Sequence, residues 1–252
     1  MRNKEIVVEA LKNKNFLKVI AGINNFDQNN VLQIVKCAKF AKAHCVDICA
    51  DPAIIEAAVK EANNEIAIVV SSINPEELYQ AEKLGATVLE LGNYEALHKE
   101  DIYPSAAEVL NWTELVLARR KSALISVTIP GHLALGEQIS LAQKLETMGV
   151  DIIQTEGATE MKSSSALGLI EKASITLAAT IELRKNLDHV YLITASGLSP
   201  ETVPMAIAAG ANGVGVGQFI SKQSSELAML AAIKSVQAVL GQSKDIAHYS
   251  LV

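Results

Sequence analysis

The stretch VYLITASGLSPETVPMAIAAGANGVGVGQFI, residues 190–220, reads as strand, glycine turn, helix, strand, glycine turn. The first turn is Ser196-Gly197-Leu198-Ser199 and the second is Gly215-Val216-Gly217-Gln218. Each follows an apolar run of strand length. Glycine lets a backbone come close to an anion, and a helix starting there points free N–H groups at it. Two such turns about twenty residues apart suit a barrel with a phosphate seat after its last two strands. The seat residues expected on this reading are Ser196, Gly197, Leu198, Gly215, Gly217 and Gln218. The expected ligand is a small phosphorylated molecule.

Working outward, strand-length apolar runs recur along the chain: 17–23, 45–50, 65–72, 87–92, 123–129, 150–156, 190–196 and 212–217. Helix-period segments lie between them. Residues 30–43 carry Val31, Ile34, Val35 and Ala38 at helical spacing. Asn74-Pro75-Glu76-Glu77 is a cap, a first-turn Pro and two first-turn acids, opening a helix that ends near Gly85. Ser199-Pro200-Glu201 repeats the device, with Gly210 as the stop. Eight alternations without a linker predict an α/β fold, one closed (β/α)8 TIM barrel over residues 1–252. A doubly wound open sheet is the alternative; eight units and a glycine turn after the last strand favour closure. Residues 1–15 form a short helix before the first strand, placed to cover the barrel floor. Residues 94–121 read as a long loop or broken helix, with Pro104 as a stop.

Half the residues are hydrophobic and only 4% aromatic, a bias toward Ala, Ile, Leu and Val that suits buried parallel strands. The net charge of −6, with no basic run, argues against nucleic acid. No apolar run approaches bilayer length, so no membrane role is expected. The N-terminal segment lacks the apolar core of a secretion signal, so the chain is expected to work where it is made. Cys37, Cys45 and Cys49 have no zinc spacing and read as buried free thiols.

Strand side chains alternate between barrel interior and helix layer. Lys18 cannot face the helix layer cheaply, which fixes the parity of the first strand and places Lys18 and Asn24 inward. The same parity places Asp47, Cys49 and Asp51 inward from the second strand and Glu90 from the fourth. Ser126 and Thr128 follow from the fifth, and Gln154 and Glu156 from the sixth. Buried charges must pair, take a proton or meet a ligand. Lys18 and Asp47, early on adjacent strands, suit an ion pair. Glu90 and Glu156, late in theirs, stand nearer the C-terminal mouth, where a carboxylate with apolar walls can serve as general acid or base. The catalytic candidates are therefore Lys18, Glu90 and Glu156, with Asn24, Asp47, Thr128 and Gln154 as further pocket residues. Asp51, before Pro52, reads as a helix cap; His132 reads as a solvated loop residue and His98 has no context. No histidine or acidic cluster suggests a metal site.

The chain resembles a family called hypothetical chloroplast reading frame twenty-three. The likeness rests on LKVIAGINNFD at 17–27, VDICADP at 46–52, LELGNYEAL at 89–97, SVTIPGHL at 126–133, GVDIIQTEG at 149–157 and SGLSPETVPMAIAAGANGVGVG at 196–217. It covers nearly the whole chain. It implies a phosphate-binding type of TIM barrel in a plastid stroma or a cyanobacterial cytosol, and the abundance of Asn, Lys and Ile favours the plastid. The family supplies no activity, so no catalytic residue carries over from it. The tail also looks like enzymes that bind phosphosugars or flavin mononucleotide (FMN) at the last two strands. VDIIQTEG is similar to the sixth strand of class I aldolases, where DFIKTS carries the imine-forming Lys. Gln154 stands at that position, which argues against an aldolase using that lysine. Three functions stay open: an isomerase, epimerase or lyase of a phosphorylated metabolite, an FMN-dependent oxidoreductase, and a binding or regulatory protein without chemistry.

Overall fold

A computed structural model describes residues 2–157 and 166–246. Among them, eight parallel strands close into a barrel in sequence order. The strands are β1 (Phe16–Gly22), β2 (Cys45–Cys49), β3 (Ala67–Ser72), β4 (Val88–Leu91), β5 (Leu124–Ile129), β6 (Ile152–Thr155), β7 (Tyr191–Thr194) and β8 (Gly213–Val216). Each lies within or one residue outside the run that predicts it. The barrel shuts where β8 pairs with β1, through Phe16↔Gly213 and Lys18↔Gly215. The open-sheet alternative is thereby set aside.

Closure at β8 depends on missing side chains. A Cβ on Gly213 would lie 2.5 Å from Phe16, and one on Gly215 would lie 3.0 Å from Ile20 and from Ala195. The glycines in this strand therefore make room for large inward residues of β1. Gly215 is a strand residue rather than part of a turn, which corrects the expectation; the turn begins at Gly217.

The helices follow from their caps. α1 is Arg2–Lys12 and α2 is Gln28–Ala41, the latter capped by the Asp27 side chain. α3 (Pro52–Ala62) is capped by Asp51, whose carboxylate accepts the Ile54 N–H at 3.0 Å. Asp51 is thus spent on a cap, as its position before Pro52 suggests. Asn74 caps α4 (Pro75–Lys83). The irregular region resolves into a 3₁₀ helix, Tyr94–Glu100, and then α5 (Ala106–Arg119), with Pro104 between them. α6 is Leu135–Thr147 and α7 is Ala166–Asn186. α8 is only Val203–Ala208, because Pro200 to Thr202 form a turn in which the Ser199 carbonyl accepts from Thr202 and Val203. The expected start at Ser199-Pro200-Glu201 is therefore one turn early, while Gly210 ends the helix as expected. α9 (Gln218–Ser221) and α10 (Glu226–Ile246) complete the chain.

One device recurs beneath the barrel. The Glu82 carboxylate, at the end of α4, accepts the N–H groups of Lys121, Ser122 and Ala123 just before β5. Glu146, at the end of α6, does the same for Asp188, His189 and Val190 before β7.

The interior is layered. Phe16, Cys45, Ala67, Val69, Val88, Leu124, Ile152 and Ile193 form an apolar floor, closed from below by Val7, Ala10 and Leu11 of α1. The N-terminal helix covers the floor, as expected. Leu17, Val19, Val46, Ile48 and their counterparts face the helix layer, where Cys49 also packs, in the main core. Cys37, Cys45 and Cys49 are free and buried. Above the floor lies a buried polar layer made of Lys18, Asp47, Ser71, Glu90, Ser126, Thr128 and Gln154. No helix among the described residues is long and apolar enough to cross a membrane.

Candidate functional site at the barrel mouth

Lys18 donates to both oxygens of Glu90 at 2.6 Å. Its distance to Asp47 is 3.7 Å, so the expected Lys18–Asp47 pair is secondary. Barrel geometry explains the change. Ladder partners lead from Glu90 to Ser71 and Cys49, and then past Gly22 on β1, well above Lys18. Hydrogen-bonded rows climb in a tilted, staggered barrel, so an early residue on β1 meets a late one on β4 across the axis. Sequence position along a strand does not reveal that height.

Glu90 is further bound by Ser126 Oγ at 2.8 Å and Gln154 Nε2 at 3.1 Å. Burial pushes the Lys18 ammonium down, but the Glu90 and Asp47 carboxylates outweigh it and hold Lys18 above its ordinary value. A lysine held as ammonium is not a nucleophile. Lys18 and Glu90 therefore form a closed pair that fixes the field of the barrel centre. Asp47 accepts from Ser71 Oγ at 2.5 Å and Asn93 Nδ2 at 3.0 Å. Burial raises it to about 6, against the pull of Lys18. Gln154 also donates to Thr128 at 3.0 Å. The carboxylate of Glu90 decides which way its amide points, and its buried Oε1 has no partner among the described residues.

Glu156 stands apart, just beyond β6. Its Oε2 accepts the Glu95 N–H at 3.2 Å and its Oε1 accepts the Gly131 N–H at 3.3 Å. Burial raises this carboxyl to about 8; the two N–H donors oppose the rise and the nearby Glu95 charge adds to it. Glu156 is therefore protonated at neutral pH, as a general acid must be. The buried Tyr94 hydroxyl has no partner among the described residues, and burial together with Glu156 and Glu90 raises it well above the ordinary value.

The first glycine turn adjoins this acid. Gly157 packs closely on Ser196: a Cβ there would lie 3.3 Å from the Ser196 Cβ. Ser196 and Gly197 take positive φ, 74° and 67°. A side chain on Gly197 would strike the Lys172 carbonyl of α7, so this glycine also serves packing. Leu198 is buried in the core. The N–H groups of Gly197 and Leu198 have no partner among the described residues. Ser196 Oγ donates to the Glu95 carboxylate. After the neighbouring strand β8, Gly217 opens α9 and Gln218 is exposed, accepting from Lys222. Asn24 is exposed and tethers the β1–α2 loop to the Ala96 carbonyl at 3.2 Å.

The structure thus gathers Lys18, Asp47, Glu90, Thr128 and Gln154 into one buried network. It sets Glu156 beside the Ser196 turn above that network and leaves Asn24 and Gln218 at the rim. Four contributors receive no role in the sequence reading. Asn93 caps the 3₁₀ helix and Glu95 lies within it, where no periodicity assigns a direction. His98 and His132 meet over the mouth with ring centroids 5.6 Å apart, next to Tyr103. Burial and His132 lower His98. Among the described residues no group of three or more His, Cys, Asp or Glu side chains is placed to hold a metal ion.

A family model described as "Protein of unknown function (DUF561)" matches residues 1–246. The chain belongs to that family. A relative called "Uncharacterized protein ycf23" from Cyanidium caldarium is 33% identical over 97% of this chain and 98% of its own length. One with the same description from Cyanophora paradoxa is 34% identical over 96% and 99%. The family resemblance read from the sequence is correct, and these relatives come from algae. Among solved structures, thiamine phosphate pyrophosphorylase from Pyrococcus furiosus superposes with a TM-score of 0.62, 13% identity and coverage of 92% and 98%. (S)-3-O-geranylgeranylglyceryl phosphate synthase from Thermoplasma acidophilum, in complex with sn-glycerol-1-phosphate, gives 0.62, 11%, 95% and 98%. At such identity these likenesses establish the barrel type alone.

Proposed function

We propose that this protein binds a small phosphorylated metabolite at the barrel mouth and transforms it by proton transfer, as an isomerase, epimerase or lyase. The observation that carries the reading is Glu156, a buried carboxyl near 8 beside a turn whose Gly197 and Leu198 N–H groups have no partner among the described residues. The turn anchors the phosphate through the Gly197 and Leu198 N–H groups and Ser196 Oγ. Glu156 delivers a proton as general acid. The Lys18–Glu90–Asp47 network beneath sets the potential in which the reacting carbon sits. The phosphate-compound names of the structural neighbours support the ligand class. The algal relatives support a plastid location.

A thermal-shift screen of phosphorylated metabolites tests the binding. A ligand at 100 times its dissociation constant stabilises by about 2.7 kcal/mol. Once a ligand is in hand, Glu156→Gln should retain binding and lose turnover by at least a hundredfold, the order expected for an acid–base group. Binding without turnover in the wild type would make this a regulatory or carrier protein. No phosphorylated hit would remove the ligand class.

A further inference from the structure

Glu95 joins the two groups on which the proposed function rests. Its carboxylate accepts the Ser196 hydroxyl, and its backbone N–H holds Glu156 at 3.2 Å. In the turn that Glu95 grips, the Gly197 and Leu198 N–H groups have no partner among the described residues, a set suited to an anion larger than one carboxylate. Glu95 belongs to the 3₁₀ helix Tyr94–Glu100, bounded at both ends by left-handed residues, Asn93 at φ 64° and Asp101 at φ 55°. Short 3₁₀ segments hold themselves weakly, because their hydrogen-bond geometry is poor. This segment reaches from the end of β4 across the mouth to the ends of β6 and β7. Its fixings there include the two Glu95 contacts.

We propose that Glu95 is an internal stand-in for the ligand's phosphate: its carboxylate holds the Ser196 turn in the free protein, and a phosphate dianion displaces it. Two negative groups cannot share the Ser196 hydroxyl and its flank without mutual repulsion. As the carboxylate leaves, the 3₁₀ helix turns about Asn93 and Asp101, and the Glu95 N–H leaves Glu156. That N–H favours the ionised form of Glu156 and the Glu95 charge favours the protonated one, so the move takes both from the acid. Occupancy of the seat thus changes the surroundings of the acid, through a positioning residue that takes no part in the chemistry. The inference rests on the phosphate reading above and adds a competitor within the chain itself.

Isothermal titration with inorganic phosphate, on the full chain, tests it. Glu95→Ala should bind phosphate about tenfold more tightly than wild type, the factor set by removing a charge-assisted competitor of modest net strength. Glu95→Gln, which keeps the shape and loses the charge, should shift the same way by less. It carries the comparison if the alanine variant does not fold. In wild type, phosphate should also speed hydrogen exchange of the Glu95 amide, which a purely structural Glu95 would not show. Equal or weaker phosphate binding in both variants overturns the displacement and leaves the phosphate reading standing. Absence of phosphate binding in wild type and both variants overturns both.

Discussion

Glu156 is an acid whose charged form is disfavoured by the fold, and that has a measurable consequence. Its carboxyl rises from an ordinary 4.5 to about 8. Between those values the folded protein binds a proton that the unfolded chain has released, so stability falls as pH rises through the window. The difference is on the order of 5 kcal/mol. Asp47, raised from 3.8 to about 6, acts in the same direction over its own range. We therefore expect wild-type urea midpoints to decline from pH 5 to pH 9, and Glu156→Gln to remove most of the part above pH 6. Parallel declines in both proteins would show that Glu156 titrates normally. Lys18 gives a second residue-scale test. Lys18→Met leaves two buried carboxylates without their cation and should cost about 3–5 kcal/mol. Adding Glu90→Gln should recover a large part of that loss, since the deficit belongs to the orphaned charge and not to the lost side-chain volume. Denaturation of the two variants side by side would decide.

At the level of elements, two caps were legible because they are local: Asp51 before Pro52 and Asn74 before Pro75. The Glu82 and Glu146 clamps were not, because the N–H groups they hold lie about forty residues away. Burial pushes both carboxyls up, but the backbone donors overcome it and leave them below the usual range. Such groups stabilise above their unfolded values and lose that contribution as pH falls through the folded ones. Glu146→Ala should destabilise by about 2 kcal/mol, as for a lost set of charge-assisted hydrogen bonds. The loss should shrink as pH falls through the lowered folded value, where the wild-type carboxyl also protonates. Thermal melts at neutral pH and along an acid series would test both statements. The 3₁₀ helix shows the opposite kind of failure. A segment with Pro104, a mixed charge pattern and no clean period announces a break, but not where Tyr94 and Glu95 will point.

For the whole molecule, the decisive event is closure between β8 and β1. Gly213→Val would set a branched side chain where a single Cβ already lies 2.5 Å from Phe16, and should cost about 3 kcal/mol or more. Val214→Ala, on the helix-facing side of the same strand, should cost less and leave the barrel closed. Near-ultraviolet dichroism and denaturation of the pair would separate a closure defect from a simple cavity. Residues 190–220 thus do two different things. The stretch at Ser196–Leu198 is a turn whose Gly197 and Leu198 N–H groups have no partner among the described residues, whereas Gly213 and Gly215 are spaces for Phe16 and Ile20. The sequence by itself determined the eight strands, their parity, the floor helix and the family, because apolar period, caps and alternation are properties of neighbouring residues. It also determined that Lys18, Asp47, Glu90 and Glu156 face inward. Only the tertiary structure decided that Lys18 belongs to Glu90, that Glu156 is left to hold a proton alone, and that Glu95 bridges it to the Ser196 turn. Those outcomes depend on barrel tilt and on loops that meet across the mouth. They are distances between residues far apart in the chain, and no local pattern encodes them.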